Sequence, residues 1–391
     1  MTKAISVVLL LWLSATAPLR AYSVLTHEAV IDTVWLGNIK PVLLKRYPQA
    51  TPADVIKAHA YAYGGAIIQD IGYYPFGAKL FSDLTHYIRS GDFVTALLRD
   101  ASDINELAFA LGSLAHYTGD NSGHPEAINI TVPLLYPKLK TEYGPVVTYE
   151  DDKSAHLKTE FGFDVLQVAR GAYAPQAYHD FIGFEVSQSL LKRAFADTYG
   201  LKLEDVMDHQ GLSFGTFRYS VSTLIPTATR AAWLLKKDEI KKARPSMTRR
   251  KFVYNMKRSS YRKEWGSDYQ KPGCGARLIA FISRIVPKIG PFRALAFKVP
   301  GPKGEKYFMS SFDDTVKRYE ALIRQYDAGK LVLSDTNMDT GKIAVKGKYQ
   351  MADDAYTSLV LKIESEHAPV SQALHNSLAR YYDGEATASA H

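Results

Sequence analysis

Apolar residues recur at helical spacing along much of the first 240 residues of the chain. The clearest segment reads SDINELAFALGSLAHY, in which Ile104, Leu107 and Leu111 fall on one face of a helix. Asp103 and Glu106 stand where a capping box would start that helix. No alternating apolar and polar pattern of any length occurs before about residue 240. The pattern therefore predicts a mainly α, multi-helix fold.

Further helices are predicted on both sides of residue 240. The segment DDKSAHLKTEFGFDVLQVARGAY has two acids near its start and a glycine near its end, as helices commonly do. SVSTLIPTATRAAWLLKKDEI predicts another helix, kinked at Pro226, and DDTVKRYEALIRQYDAG and DDAYTSLVLKIESE predict two more. Because the character of the chain changes after Ile240, we predict a helical domain at 22–240 and a basic, partly helical C-terminal region at 241–391.

The N-terminus has the pattern of a secretory signal peptide. Lys3 is followed by an apolar run from Ala4 to Leu13 that is too short to span a bilayer, and then by small residues. Cleavage after Ala17 would leave proline first, so we favour cleavage after Ala21, which removes residues 1–21 and leaves Tyr22 first. The pattern predicts an exported protein, either secreted or periplasmic.

The net charge of +8 is concentrated in one stretch of the chain. Between Lys236 and Gly275 there are thirteen Lys or Arg residues and four Asp or Glu residues. This stretch is either a solvated surface or a face for anions such as phospholipid headgroups or nucleic acid. The segment that follows, RLIAFISRIVPKIGPFRALAF, mixes apolar residues with single cations. It suits peripheral membrane contact through 241–300, or core packing with cations that reach out to water.

The stretch GSLAHYTGDNSGHPEAIN places His116, Asp120 and His124 at intervals of four, which would align them on one helix face. Gly119, Gly123 and Pro125 make a regular helix uncertain beyond His116. Asp70 lies in the apolar segment AIIQDIGYYP, where a buried carboxylate needs a partner. Taken singly, His27 or His86 is most often a surface or hydrogen-bonded residue, and His156 with Glu160 a helical surface pair.

Together these residues predict a metal centre. The single cysteine excludes a zinc–thiolate site, so any metal would be held by imidazoles and carboxylates, as in catalytic zinc sites. Eight candidates are too many for one zinc ion and suit two or three ions that share carboxylates, with Asp120 as the natural bridge. The candidates are His27, Asp70, His86, His116, Asp120, His124, His156 and Glu160. We interpret the remaining histidines that lack such surroundings as structural: His59, His179, His209, His367 and His375.

The order and setting of these residues resemble the zinc-dependent phospholipase C superfamily, which also contains secreted single-strand zinc nucleases. The resemblance covers about 22–161, with a helical continuation to about 240. It implies a nearly all-α fold around a three-zinc cluster, to which the mature N-terminal residue, here Tyr22, contributes its amino nitrogen and carbonyl oxygen. The implied ligands of the three ions are Tyr22, His27 and Asp120; Asp70, His86, His116 and Asp120; and His124, His156 and Glu160.

Two features depart from the superfamily pattern. The bacterial phospholipases and the nucleases usually begin with Trp rather than Tyr, but only the backbone of that residue is needed. The histidine after the bridging aspartate usually comes six residues later, where this chain has Glu126, whereas His124 comes four residues later. The glycosylphosphatidylinositol phospholipase D branch resembles this shorter spacing. Either residue could be the ligand, and we favour His124.

The resemblance implies hydrolysis of a phosphodiester, with hydroxide attacking phosphorus and Asp70 orienting or deprotonating the water. We expect a phospholipase C that forms diacylglycerol and a phosphorylated headgroup. One alternative is a single-strand nuclease or 3'-nucleotidase that uses the same tri-zinc site, and another is a non-catalytic exported zinc-binding protein. The aromatic residues around Asp70 suit base stacking, an apolar rim or the core; they are Tyr61, Tyr63, Tyr73, Tyr74 and Phe76.

Overall fold

A computed structural model describes residues 24–74, 76–170, 185–219, 238, 241–242 and 297–383. The predicted signal peptide, Tyr22, and almost all of the basic stretch and the predicted membrane-contact segment lie outside these residues. The same holds for most of the predicted helix around Pro226. The predicted domain boundary near 240 stays a prediction.

The described part of the chain is built from helices, which confirms the mainly α fold. The helices are α1 (Val24–Val34), α2 (Lys40–Arg46), α3 (Pro52–Ile67), α4 (Lys79–Tyr87), α5 (Ser90–Asp100), α6 (Ile104–Gly123), α7 (Asn129–Leu135), α8 (Pro137–Tyr143), α9 (Lys153–Arg170), α10 (Gln188–Tyr199), α11 (Leu203–Val206), α12 (Gln210–Tyr219), α13 (Pro302–Asp327), α14 (Gln350–Glu366) and α15 (Gln372–Asp383). Within the described ranges there is no strand, and one isolated antiparallel bridge joins Asn337 to Lys342. No helix among these residues is both long enough and apolar enough to cross a membrane.

Helix α6 begins at the predicted N-cap, although the predicted capping box is wrong. The Asp103 side chain accepts hydrogen bonds from the backbone N–H groups of Asn105 and Glu106, both at 2.8 Å. Glu106 does not reach back to Asp103, because its carboxylate accepts from the backbone N–H and hydroxyl of Ser102 and from Arg193 on α10. The glutamate therefore ties the start of α6 to a neighbouring helix.

Helix α6 also continues further than the sequence indicated. It passes through Gly119 as regular α-helix and ends at Gly123, where a π-helical turn, His124–Ile128, takes over. Nearly every residue of α6 is buried, and such packing outweighs the low helix propensity of glycine. Pro125 lies at the start of the π-helical turn, beyond the last residue of α6, so it does not interrupt α6 itself.

Helices α3 and α6 cross with their backbones almost in contact. A β-carbon added to Gly112 would lie 2.0 Å from the carbonyl oxygen of Ala62, and one added to Gly65 would lie 1.8 Å from that of Phe109. Only glycine permits so close an approach. The crossing brings the end of α3, and the 3₁₀ turn Ile68–Tyr73 after it, against the second half of α6.

Helix α13, from the C-terminal part of the chain, packs against the same core. The Tyr319 hydroxyl is fully buried and donates to the carbonyl of Leu111 on α6 at 2.8 Å. A smaller apolar cluster near α7 and α9 includes Phe163 and Phe308, whose rings stack with centroids 4.6 Å apart. Residues beyond 297 therefore complete the packing around α6.

Candidate metal centre

Eight of the nine predicted ligands lie in the described residues, and the structure brings all eight together. They come from α1, the 3₁₀ turn, α4, α6, the π-helical turn and α9, and none is more than 3% exposed. They form three groups whose ligand atoms lie within 4.8 Å of one another. The groups are His27, His116 and Asp120; Asp70, His86 and His116; and His124, His156 and Glu160. Tyr22 lies outside the described residues.

Asp120 lies at the centre of these groups. Its Oδ1 is 3.2 Å from Nε2 of His27. Its Oδ2 is 3.4 Å from Nε2 of His86, 3.3 Å from Nε2 of His116 and 3.6 Å from Nε2 of His124. One carboxylate thus faces four imidazoles with both of its oxygens, which is the arrangement that a bridging ligand requires.

The second group holds two imidazoles in fixed tautomers. His86 Nδ1 lies 2.7 Å from the Ser82 carbonyl, and His116 Nδ1 lies 2.9 Å from the Ala66 carbonyl. Because a carbonyl only accepts, both Nδ1 atoms carry a proton, and each ring in its neutral form presents a lone pair at Nε2. These two Nε2 atoms are 3.3 Å apart, and Asp70 Oδ1 is 3.4 Å from that of His86.

This crowding of acceptors fits a divalent cation. Two imidazole lone pairs that face one another at 3.3 Å repel unless a proton or metal lies between them. Within the described residues, none of the four carboxylate oxygens of Asp70 and Asp120 accepts a hydrogen bond, although all are buried. Buried carboxylates without donors are costly, and zinc bound by imidazole and carboxylate ligands removes that cost.

The third group is built in the same way. His156 Nε2 donates to Asn129 Oδ1 at 2.8 Å, which leaves its Nδ1 as the acceptor, 2.8 Å from Glu160 Oε1. The orientation of the Asn129 amide is set by its own Nδ2, which donates to the carbonyl of Asp339 at 2.8 Å. His124 stacks on His156 with ring centroids 5.1 Å apart, and its Nδ1 is 3.9 Å from Glu160 Oε1.

A comparison with known protein families tests whether the chain resembles a family of metal-dependent enzymes, as the geometry suggests. Residues 26–207 match the family model described as zinc dependent phospholipase C. This segment, a little under half of the chain, is similar to that family. The resemblance found in the sequence is thereby confirmed, and all eight described candidate ligands fall within the segment. No curated protein and no solved structure matches the chain.

The electrostatics of the matched segment favour positive charge at its centre. Burial raises the pKa of Asp120, but His116 and His124 outweigh it, so this pKa lies well below the usual range. Burial likewise lowers the pKa of His86, whereas Asp120 and Asp70 act in the opposite direction and raise it to about 10. In each case the carboxylates favour positive charge on the groups that face them, and metal cations can supply that charge in place of protons on the imidazoles.

The structure distinguishes His124 from Glu126, the two residues that the spacing left as alternative metal ligands. His124 is buried and faces Asp120 and Glu160. Glu126 lies outside the three groups, is about one-third exposed, and pairs with Arg318 of α13 at 2.7 Å. The geometry favours His124 as the ligand.

Sequence reasoning missed the groups that orient the ligands. The carbonyls of Ser82 and Ala66 carry no side-chain signal, so no sequence pattern could have singled them out. Asn129 did carry a signal, because it is a polar residue in the apolar segment EAINITV, just as Asp70 lies in AIIQDIGYY. Asp339 is 210 residues away from Asn129, and nothing in the sequence connects the two.

Proposed function

We propose that the protein is an exported, zinc-dependent phosphodiesterase of the phospholipase C type, which hydrolyses phospholipids to diacylglycerol and a phosphorylated headgroup. The observation that carries the proposal is the convergence of eight imidazoles and carboxylates in three groups that meet at Asp120, inside a phospholipase C segment. The groups would hold two or three zinc ions, with Tyr22 as a further ligand.

Zinc ions in these groups would acidify a bound water and neutralise the non-bridging oxygens of the phosphodiester. Asp70 has both carboxylate oxygens buried and free of hydrogen-bond donors among the described residues, so it can orient the attacking water and accept its proton. The Ser82 and Ala66 carbonyls hold His86 and His116 in the tautomer that leaves Nε2 unprotonated. Attack at phosphorus breaks the bond to the diacylglycerol oxygen, which leaves with a proton.

The surroundings of Asp70 support a lipid rather than a nucleic acid as substrate. Three of the tyrosines near Asp70 are at most 2% exposed and offer no open face on which a base could stack: Tyr63, Tyr73 and Tyr74. Phe76 is half exposed, and its carbonyl accepts from Ser213, whose neighbour Leu212 is also nearly half exposed. Phe76, six residues beyond Asp70, and Leu212 thus expose apolar surface that suits contact with acyl chains.

Export and membrane contact belong to the same proposal. Export rests on the signal-peptide pattern at 1–21, and peripheral membrane contact rests on the basic and apolar sequence of 241–300. Both segments lie almost wholly outside the described residues, so their support comes from the sequence.

The proposal is tested with the purified chain that begins at Tyr22. Phosphatidylcholine vesicles and single-stranded DNA are offered in parallel, before and after treatment with a chelator and after zinc is restored. We expect diacylglycerol release that the chelator abolishes and zinc restores, and that Asp70→Asn greatly reduces. Cleavage of DNA alone would establish the nuclease alternative, and zinc-dependent folding without turnover would establish the non-catalytic one; either result contradicts the proposal.

A further inference from the structure

A turn far beyond the phospholipase C segment packs against the metal centre. We call residues 337–342 the C-terminal turn. It is closed by hydrogen bonds from the Asn337 N–H to the Lys342 carbonyl at 2.7 Å and from the Gly341 N–H to the Asn337 carbonyl at 2.8 Å. Asn337, Met338 and Asp339 are all buried, so the first half of the turn is enclosed by the protein, whereas Lys342 at its end is exposed.

The first link of the turn to the metal centre runs through α4. The Met338 N–H donates to the main-chain carbonyl of His86 at 3.1 Å. The neighbouring Tyr87 donates its hydroxyl to Asp339 Oδ2 at 2.8 Å, and Tyr349 donates to the same oxygen. Asp339 therefore fastens the C-terminal turn to the end of the helix that carries His86.

The second link runs through Asn129. The Asp339 carbonyl accepts from Asn129 Nδ2, and Asn129 Oδ1 accepts from His156 Nε2, each at 2.8 Å. An amide that donates at one end must present its oxygen at the other, so the carbonyl of Asp339 decides which atom His156 meets. His156 then keeps its proton on Nε2 and turns Nδ1 toward Glu160.

We propose that the C-terminal turn is a positioning element of the metal centre: Asp339 orients Asn129, and Asn129 sets the tautomer with which His156 meets its metal ion. The inference rests on the proposed function only in that the three groups bind zinc. Groups that orient a metal-binding histidine typically change metal affinity by about 10- to 100-fold. The region of unknown role that follows the family segment thereby acquires one.

The test compares zinc affinity in four variants of the chain that begins at Tyr22. Asn129→Leu removes the hydrogen bonds of Asn129 to Asp339 and to His156, the relay between the turn and the metal centre, at nearly constant side-chain size. Tyr349→Phe removes the hydrogen bond to the Asp339 carboxylate and leaves Asn129 and His156 unchanged. Tyr381→Phe is the matched control, because Tyr381 also donates its hydroxyl to an aspartate, Asp353, and is equally buried, yet it has no contact with the turn among the described residues. The fourth variant combines Asn129→Leu with Tyr349→Phe.

Zinc affinity is measured by competition with a chelator, and cobalt absorption spectra report the ligand geometry. We expect Asn129→Leu to lower the affinity for one zinc ion per chain by about 10- to 100-fold. Tyr349→Phe should lower the affinity for the same ion by a smaller factor. The double variant should be no weaker than Asn129→Leu, because both changes act through one relay. Tyr381→Phe should lower thermal stability and leave zinc affinity and the cobalt spectrum unchanged.

The proposal is overturned if Tyr349→Phe binds zinc as tightly as the wild type and the control Tyr381→Phe. It is also overturned if the losses of zinc affinity in Asn129→Leu and Tyr349→Phe add in the double variant. Should Asn129→Leu fail to fold, the comparison of Tyr349→Phe with Tyr381→Phe decides alone. A wild-type chain that binds zinc tightly but hydrolyses no phosphodiester contradicts the proposed function and leaves this test intact.

Discussion

The close crossing of α3 and α6 offers a sharp test of how the metal centre is assembled. Gly112 lies one helical turn before His116 on α6, where α6 crosses α3. The substitution Gly112→Ala adds one methyl group to this crossing and touches no candidate ligand. The nearest atom it meets is the carbonyl oxygen of Ala62, which belongs to the rigid backbone of α3.

The expected displacement follows from the distances. The new β-carbon would lie 2.0 Å from the Ala62 oxygen, whereas ordinary contacts begin at 3.4 Å. The helices must therefore separate by about 1.4 Å, well beyond the roughly 0.5 Å that functional geometries tolerate. The hydrogen bond from His116 to the Ala66 carbonyl, now 2.9 Å long, cannot survive that movement. We expect the free energy of unfolding to fall by about 3 kcal/mol. We also expect zinc to be lost from the two groups of ligands that contain His116.

The assay combines denaturant unfolding with elemental analysis of the purified variant. Gly215→Ala is the matched control, because Gly215 is also a helical glycine but has open space where its β-carbon would be. That variant should keep its zinc and gain about 0.5–1 kcal/mol. If Gly112→Ala retains both the stability and the zinc content of the wild type, the close crossing does not position the ligands and the reasoning fails.

Two further predictions concern residues near the ends of α6. Burial raises the pKa of Glu106, but hydrogen bonds from Ser102, Ser189 and Arg193 outweigh this and leave the pKa below its ordinary 4.5. Its ionised form therefore stabilises the fold above pH 4.5, and Glu106→Gln should cost about 1–2 kcal/mol at pH 7, with the difference from wild type shrinking in unfolding curves taken as pH falls below 4.5. A constant difference down to pH 3 would refute this. Replacing His124 by Asn should remove about one zinc ion per chain, whereas Glu126→Gln should remove none, by elemental analysis; the opposite result would make Glu126 the ligand.

The parts of the fold that the sequence predicted well are those fixed by local interactions. Asp103 caps α6, and acids precede α9, because capping and helical periodicity depend on residues within one or two turns. The intervals of four that align His116 with Asp120, and His156 with Glu160, are local in the same sense. The convergence of these pairs with His27 was implied by the resemblance to the family rather than by spacing.

The features that the sequence did not reveal depend on distant contacts. Gly119 reads as a helix breaker, yet α6 continues because neighbouring helices enclose it on almost every side. Glu106 left its expected partner because Arg193, 87 residues away, binds it. The link between Asp339 and Asn129 spans 210 residues, and one sequence contains no periodicity that reports such a pair.

The most direct test of the account is the number of zinc ions that remain bound when Asp120 is replaced by Asn. This change keeps the shape of the side chain but removes the charge that faces His27, His86, His116 and His124. By plasma mass spectrometry of dialysed protein, we predict two or three zinc ions per wild-type chain and clearly fewer in Asp120→Asn, with turnover lost in parallel. An equal zinc content in the two proteins, or a wild-type chain that holds no zinc at all, would contradict the shared metal centre.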